Sequence, residues 1–244
     1  MSKNLYSQSG LVAAYESWAR SDYSQTISFP SSAIELKADW VPVGNLITWL
    51  GNNGVTLTPA QVSKDYYVVE VDHAPYALVS LHMSAKVLPN WLWSDFEHQL
   101  NPGRCDTMGC YDQFGVVPKS ATELPAASAN SQYGDCTKSK ELLALFAGSG
   151  IGTSSVWNNY CLKGTQIDYV APKGQPVLLG NSVIERLLAG VPISTSSCIS
   201  CHTNAAFDSS GIPNPAVSES PIGKVTVSSG FMPYDFVWGV INVP

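Results

Sequence analysis

Charge is scarce in this chain, and a basic run is missing altogether. Aspartate, glutamate, lysine and arginine together make up 13% of the 244 residues, and the formal net charge is −6. An acidic chain without a basic cluster lacks the electrostatic footprint of a nucleic-acid binder, which excludes that partner class. Charge steering would favour cationic or neutral partners instead. No apolar run approaches the roughly 18 to 20 residues needed to cross a bilayer, so no membrane-spanning helix is expected. The opening "MSKNLYSQSGLV" also lacks the hydrophobic region of a signal peptide. Histidine is scarce too, with four copies against six cysteines. What the chain has in quantity is apolar surface: 45% of its residues are hydrophobic, enough for a sizeable core and too many for a disordered chain.

Against that scarcity, "SSCISCHTNAAF" at 196–207 concentrates two cysteines and one histidine. Cys198, Cys201 and His202 form C-x-x-C-H, the attachment sequence of a c-type haem. Two thiols three residues apart can reach one edge of a porphyrin and add across its two vinyl groups. The adjoining imidazole of His202 can then turn beneath the ring and bind the iron. With so few cysteines and histidines, chance produces this pattern on the order of a quarter of a percent of the time. A structural zinc site would need two more Cys or His ligands at compatible spacing, and neither a second C-x-x-C nor an H-x3-H occurs. A thioredoxin-like pair would follow a strand in a βαβ unit, whereas "VPISTSS" precedes this one. Covalent haem is therefore the expected cofactor, with a disulfide or a metal as the alternatives.

Haem of this kind is normally attached after export. The chain is accordingly expected to be periplasmic or otherwise exported, its leader removed, with Met1 not belonging to the native protein. The other cysteines, Cys105, Cys110, Cys136 and Cys161, form an even set suited to two disulfides. Three connectivities are available. Cys105 with Cys110, closing "CDTMGC", and Cys136 with Cys161 are favoured; reduced, metal-binding thiols are the alternative.

Periodicity supplies the architecture. "GLVAAYESWARSD" places Leu11, Ala14, Tyr15 and Trp18 on one helical face. "AIELKADW" alternates strictly, Ile34, Leu36, Ala38 and Trp40 one way and Glu35, Lys37 and Asp39 the other, as a half-buried strand does. "DYYVVEVDH" and "YALVSLHM" read as strands about a turn at Ala74 and Pro75, and "NWLWSDFEHQ" as a fourth strand. "SKELLALFAG" and "NSVIERLLAG" read as short helices ended by glycine, with "YVAPKGQPVLLG" between them as a further strand candidate. From about 101 to 136 the composition is that of a long surface excursion stapled by disulfide. The expectation is one α+β domain spanning 1–244, β-rich and mainly antiparallel, with a few short helices and a C-terminal helical turn carrying the haem. Too few residues follow His202 to build a separate helical cytochrome module, whose minimal size is about a hundred residues.

Three segments, in order, resemble the monohaem cytochromes called cytochrome P-460 and their relatives, the β-sheet cytochromes c prime. They are "YESWARSDYSQTISFPSSAIELKADW", "SSCISCH" and "YDFVW". The resemblance implies a mostly antiparallel β fold, often a homodimer, with a five-coordinate haem open on its distal side. It implies redox or ligand chemistry on a small nitrogen or oxygen compound such as hydroxylamine, nitric oxide or peroxide, and a redox partner protein. It also makes Lys37 the candidate for a lysine cross-linked to the porphyrin; the plainer reading is a solvated lysine between Glu35 and Asp39. The middle of the chain departs from the family pattern, bringing histidines and cysteines of its own.

The sixth iron position separates catalysis from electron transfer. His82 in "SLHMSAK" and Met232 in "GFMPYDF" are candidate second axial ligands for a six-coordinate electron carrier, and His73 is placed at a turn. Glu97 and His98 are candidate proton-relay groups on the distal side. Strand alternation sends neighbours to opposite faces, so one of the two at most faces a pocket. Trp91 and Trp93 share a face and are read as the wall of the core or of a haem pocket.

Overall fold

The computed structural model describes residues 2–6, 26, 28–102, 138–152, 154–170, 177–188, 196–214, 223 and 226–238. The N-terminal helix expected at 10–22, most of the excursion at 101–136, and Cys105, Cys110 and Cys136 lie outside these residues. The architecture is α+β with a mainly antiparallel sheet. Strands β1 (Ser2–Tyr6), β2 (Ile34–Pro42), β4 (Ala74–Ala85), β5 (Leu92–His98) and β6 (Tyr160–Gln166) lie side by side in that order, and β3 (Val68–Val71) pairs with β4. Every one of these pairings is antiparallel.

The β3–β4 hairpin turns at Asp72 and His73, not at Ala74 and Pro75, which belong to β4. Both turn residues have positive φ, 49° and 61°, the backbone twist that a tight two-residue hairpin requires. Asp tolerates it because its short side chain bonds locally.

Two helices that periodicity did not reveal pack on the sheet. Helix α1 (Val43–Asn52) buries Val43, Leu46 and Leu50, spaced to lie along one face. Helix α2 (Pro59–Asp65) starts with Thr58 and Gln61 in a reciprocal capping box and proline at its first position. Leu46, Leu50, Val62, Tyr66, Ala77, Val79 and Val183 form one core cluster. Each fully buried aliphatic there contributes about 1.5 to 3 kcal/mol.

Helix α3 (Lys140–Gly148) forms where "SKELLALFAG" predicts it, capped by Ser139. "NSVIERLLAG" does not make an α-helix: residues Ser182–Leu188 wind as a π-helical turn, a form associated with functional sites. "YVAPKGQPVLLG" forms no strand among its described residues, and Leu179 makes an isolated bridge to Ser197. Helix α4 (Cys198–Thr203) is the short helix carrying the C-x-x-C-H, followed by the small pair β7 (Ala206–Phe207) and β8 (Met232–Pro233).

Strand β2 alternates as its sequence dictates, but its more buried face is the charged one. Glu35 and Asp39 are 6% and 3% exposed, while Ile34 is 42% exposed. The reason lies across the sheet: Lys37 pairs with His82 and His82 with Asp95, and Asp39 pairs with Ser80 and Ser80 with Glu97. The polar side chains of three strands share one face. Ser80, Ser84, Asp95 and Glu97 are all buried there.

Candidate haem site

Helix α4 is short and is held by its surroundings more than by its own turns. Gln166, at the end of β6, accepts from the Ile199 amide at 3.0 Å and donates to Ser197 Oγ at 2.8 Å. Ser197 caps the helix through the Ser200 amide. Thr203 donates to the Ile199 carbonyl at 2.7 Å and meets the Tyr169 hydroxyl at 2.6 Å. Residues three apart on a helix lie on one side, so this anchoring sets Cys198 and Cys201 together one turn apart. Both are free thiols, Cys198 buried and Cys201 exposed. Cys198 packs in a cluster with Phe29, Trp91, Trp93, Ile199 and Val237.

His202 is oriented by the C-terminal segment. Its Nδ1 lies 2.7 Å from the Phe236 carbonyl oxygen, which can only accept, so Nδ1 carries the proton and Nε2 keeps its lone pair. Trp93 flanks the ring, centroids 4.5 Å apart. Burial pushes the imidazole pKa down to about 4, with the Phe236 carbonyl opposing and the charges of Lys37 and His82 adding to the fall. The ring is therefore neutral at physiological pH, the form that binds a metal. The Cys198 thiol is raised well above its ordinary value by burial and by Glu185 and Asp95. Cys201, exposed as a residue but with its sulfur turned toward the protein, is raised too, by partial desolvation and the charge of Glu185. Among the described residues no group of three or more His, Cys, Asp and Glu side chains is placed to hold a metal ion.

The buried polar face of the sheet reaches this same region, since Lys37 and His82 both act electrostatically on His202. His82 Nδ1 lies 3.2 Å from Asp95 Oδ1, and Asn181 donates to the same oxygen at 2.9 Å. Among the described residues, Asp95 Oδ2 and His82 Nε2 are buried without a hydrogen-bond partner. Burial, then the charge of Glu97, raises Asp95 to about 7. His82 is lowered by burial, against the charges of Glu185 and Asp39. Burial would raise Glu97 as well, but Lys163 at 2.9 Å and the hydroxyl and amide of Ser182 hold it below its ordinary value. A register shift between Asp95 and Phe96 leaves Lys163 as the extra residue of β6. Glu185, on the π-helical turn, is raised by burial and accepts from the Asn181 amide.

The sequence-selected residues separate into groups. Lys37, His82 and Glu97 lie on the polar face, and the first two act electrostatically on the haem-motif histidine. His98 points the other way, as alternation demands: its ring stacks on Tyr66 at 3.5 Å, meets the Asp65 carbonyl oxygen at 3.1 Å through Nε2, and accepts from the Leu100 amide through Nδ1. It is a packed core histidine. Met232 is 37% exposed on β8, opposite Phe207. His73 is exposed in the hairpin turn, near Glu70. Cys161 is fully buried on β6.

Four participants escaped the sequence reading: Asp95, Lys163, Asn181 and Glu185. Asp95 had a signal, its alternation with Trp93 and Glu97 along β5. Lys163 and the residues of the π-helical turn had none, because only the sheet register and the turn bring them in. No protein-family model, curated protein or solved structure matches the chain.

Proposed function

We propose that this protein is an exported monohaem c-type cytochrome, with haem joined to Cys198 and Cys201 and His202 as the proximal iron ligand. The observation that carries this reading is the hydrogen bond from His202 Nδ1 to the Phe236 carbonyl, made by a ring that adjoins two thiols one turn apart. Metal-binding histidines usually donate their second ring nitrogen in this way, which fixes the tautomer and strengthens the ligand. The segments resembling cytochrome P-460 and the β-sheet cytochromes c prime support the same reading.

When bound, haem supplies an iron that exchanges electrons and accepts small nitrogen and oxygen ligands. The chain's part is to orient His202, wall the site with Trp93 and Cys198's apolar cluster, and hold protons nearby. Asp95, raised to about 7, is suited to take and return a proton near neutrality, with His82 as its neighbour. Redox or ligand chemistry on a small nitrogen or oxygen compound, such as hydroxylamine, nitric oxide or peroxide, is the role this arrangement favours. Lys37, opposite His82, is the proposed cross-linking lysine.

One observation favours a second reading. Asp95 supports His82 Nδ1, and Nε2 is buried and unpartnered among the described residues, which also suits a sixth iron ligand and a six-coordinate electron carrier. Optical spectra with and without carbon monoxide separate the two. A high-spin iron that binds carbon monoxide supports ligand chemistry; a low-spin iron indifferent to it supports His82 as ligand. The haem assignment itself is tested by Cys198→Ser combined with Cys201→Ser, which should release all haem into acidified organic solvent. Haem retained by that double variant would overturn it. Lys37→Met should abolish any red-shifted reduced band, and an unchanged band would remove Lys37 from the site.

A further inference from the structure

We infer that Asp235 is a positioning residue for His202, acting through a left-handed turn that it clasps to three other segments. The inference rests on the haem reading above. Five non-glycine residues among those described have positive φ: Asp72 and His73 in the hairpin turn, and Trp91, Asp235 and Phe236 at 62°, 48° and 70°. The last three meet at one place. A left-handed conformation is costly for a bulky residue, and it persists only where surrounding contacts impose it.

The contacts are on the Asp235 carboxylate. Its Oδ2 accepts from the Phe29 amide at 2.7 Å, and its Oδ1 accepts from Trp91 Nε1 at 3.2 Å and pairs with Lys86 Nζ. Lys86 also donates to the Pro89 carbonyl at 3.1 Å and stands over the Trp91 ring. Phe29 and Trp91 pack edge to face at 5.7 Å. One carboxylate thus ties together the chain before β2, the chain after β4 and the start of β5.

The turn it holds is closed by Val237 N donating to the Tyr234 carbonyl at 3.0 Å, and tied to the end of α4 by Tyr234 N donating to the Ala205 carbonyl at 2.7 Å. Phe236 sits between these ties, and its carbonyl receives the His202 proton. Without the clasp, only the two backbone hydrogen bonds and the packing of Phe236 and Val237 are left to hold two consecutive left-handed residues. The turn relaxes, and the acceptor that sets the His202 tautomer moves away. Lost donation from Nδ1 makes the imidazole a weaker electron donor to iron, which shifts the midpoint potential upward and the iron–histidine stretch to lower frequency.

The test is made on the full-chain holoprotein. A denaturing mass spectrum first establishes covalent haem; its absence in the wild-type protein overturns the haem reading and with it the basis of this one. Given haem, Asp235→Ala should raise the potential and lower the resonance Raman iron–histidine frequency, and Asp235→Asn, which keeps the acceptor and tolerates the left-handed backbone, should recover most of both shifts. Phe96→Ala, on the opposite face of the sheet, weakens the fold without moving either signal. If Asp235→Ala does not accumulate, Lys86→Met removes one arm of the clasp and should move both signals in the same direction by less. Wild-type potential and frequency in whichever of Asp235→Ala and Lys86→Met is obtained would overturn the inference.

Discussion

The two faces of the sheet obey opposite rules. On one, Glu35, Asp39, Ser80, Ser84, Asp95 and Glu97 are buried, and most of their polar atoms are spent on one another: Ser80 on Asp39 at 2.8 Å, Ser84 on Glu35 at 3.3 Å, Lys163 and Ser182 on Glu97. On the other, Leu81, Phe96, Tyr160 and Leu162 line an apolar cavity of about 340 Å³ beneath α3, a helix that buries none of its residues. Burying charge is costly unless it is paired and hydrogen-bonded, so the polar face can serve as a floor for chemistry while the apolar face supplies only cohesion. Among the described residues, His82 Nε2, Asp95 Oδ2, Asp39 Oδ1 and Lys163 Nζ have no hydrogen-bond partner on the polar face, Lys163 being held by its ion pair with Glu97 alone, and they mark where its pairing is incomplete.

Removing one side of the buried Glu97–Lys163 ion pair should have the largest effect. Glu97→Leu leaves Lys163 buried and uncompensated and should cost about 3 to 5 kcal/mol, read from denaturant midpoints. Adding Lys163→Met should recover most of that loss, because an apolar pair of similar volume avoids the desolvation penalty. A double variant no more stable than the single one would mean that the two faces do not differ in the way described.

Next in size is a pH effect. Asp95 titrates near 3.8 in the unfolded chain and at about 7 in the folded one. The folded state therefore holds the extra proton between these values, and this group's contribution to stability is fully present below about 4 and lost as pH rises through about 7. Thermal unfolding of Asp95→Asn should lack that decline, with the difference from wild type widening toward neutral pH. Parallel profiles would contradict the raised carboxyl. Smaller still, Phe96→Ala should cost about 1 to 2 kcal/mol, since the ring is half-buried beside an existing cavity. The smallest effect belongs to α3: Leu145, 62% exposed, should tolerate Leu145→Ser within about 0.5 kcal/mol by the same denaturation assay.

How much of this could be read beforehand differed from element to element. Strand β2 was legible because its alternation is local, and β5 because aromatics and alternation coincide. Helix α1 was not: "VGNLITWLGN" mixes glycine and β-branched residues of low helix propensity, and packing of Val43, Leu46 and Leu50 overrides that preference. Strand β6, "YCLKGTQ", was hidden because lysine, glycine and glutamine interrupt the apolar pattern, each for a tertiary reason: Lys163 meets Glu97, Gly164 lies 3.3 Å from Leu179 at its notional Cβ, and Gln166 anchors α4. In the candidate site, the opposite facing of Glu97 and His98 followed from period two alone, whereas the partners of each did not.

By itself the sequence determined the local matters: two thiols and an imidazole in one helical turn, the alternation of Lys37 with Glu35 and Asp39, and a chain too apolar to be disordered. The tertiary structure decided which strand face is buried, because that depends on register between strands far apart in sequence, and a one-residue slip would reverse it. It decided too that His202 is held by a carbonyl 34 residues away. No local pattern encodes a hydrogen bond whose acceptor is placed by a turn, and whose turn is placed by a carboxylate bound to three other segments.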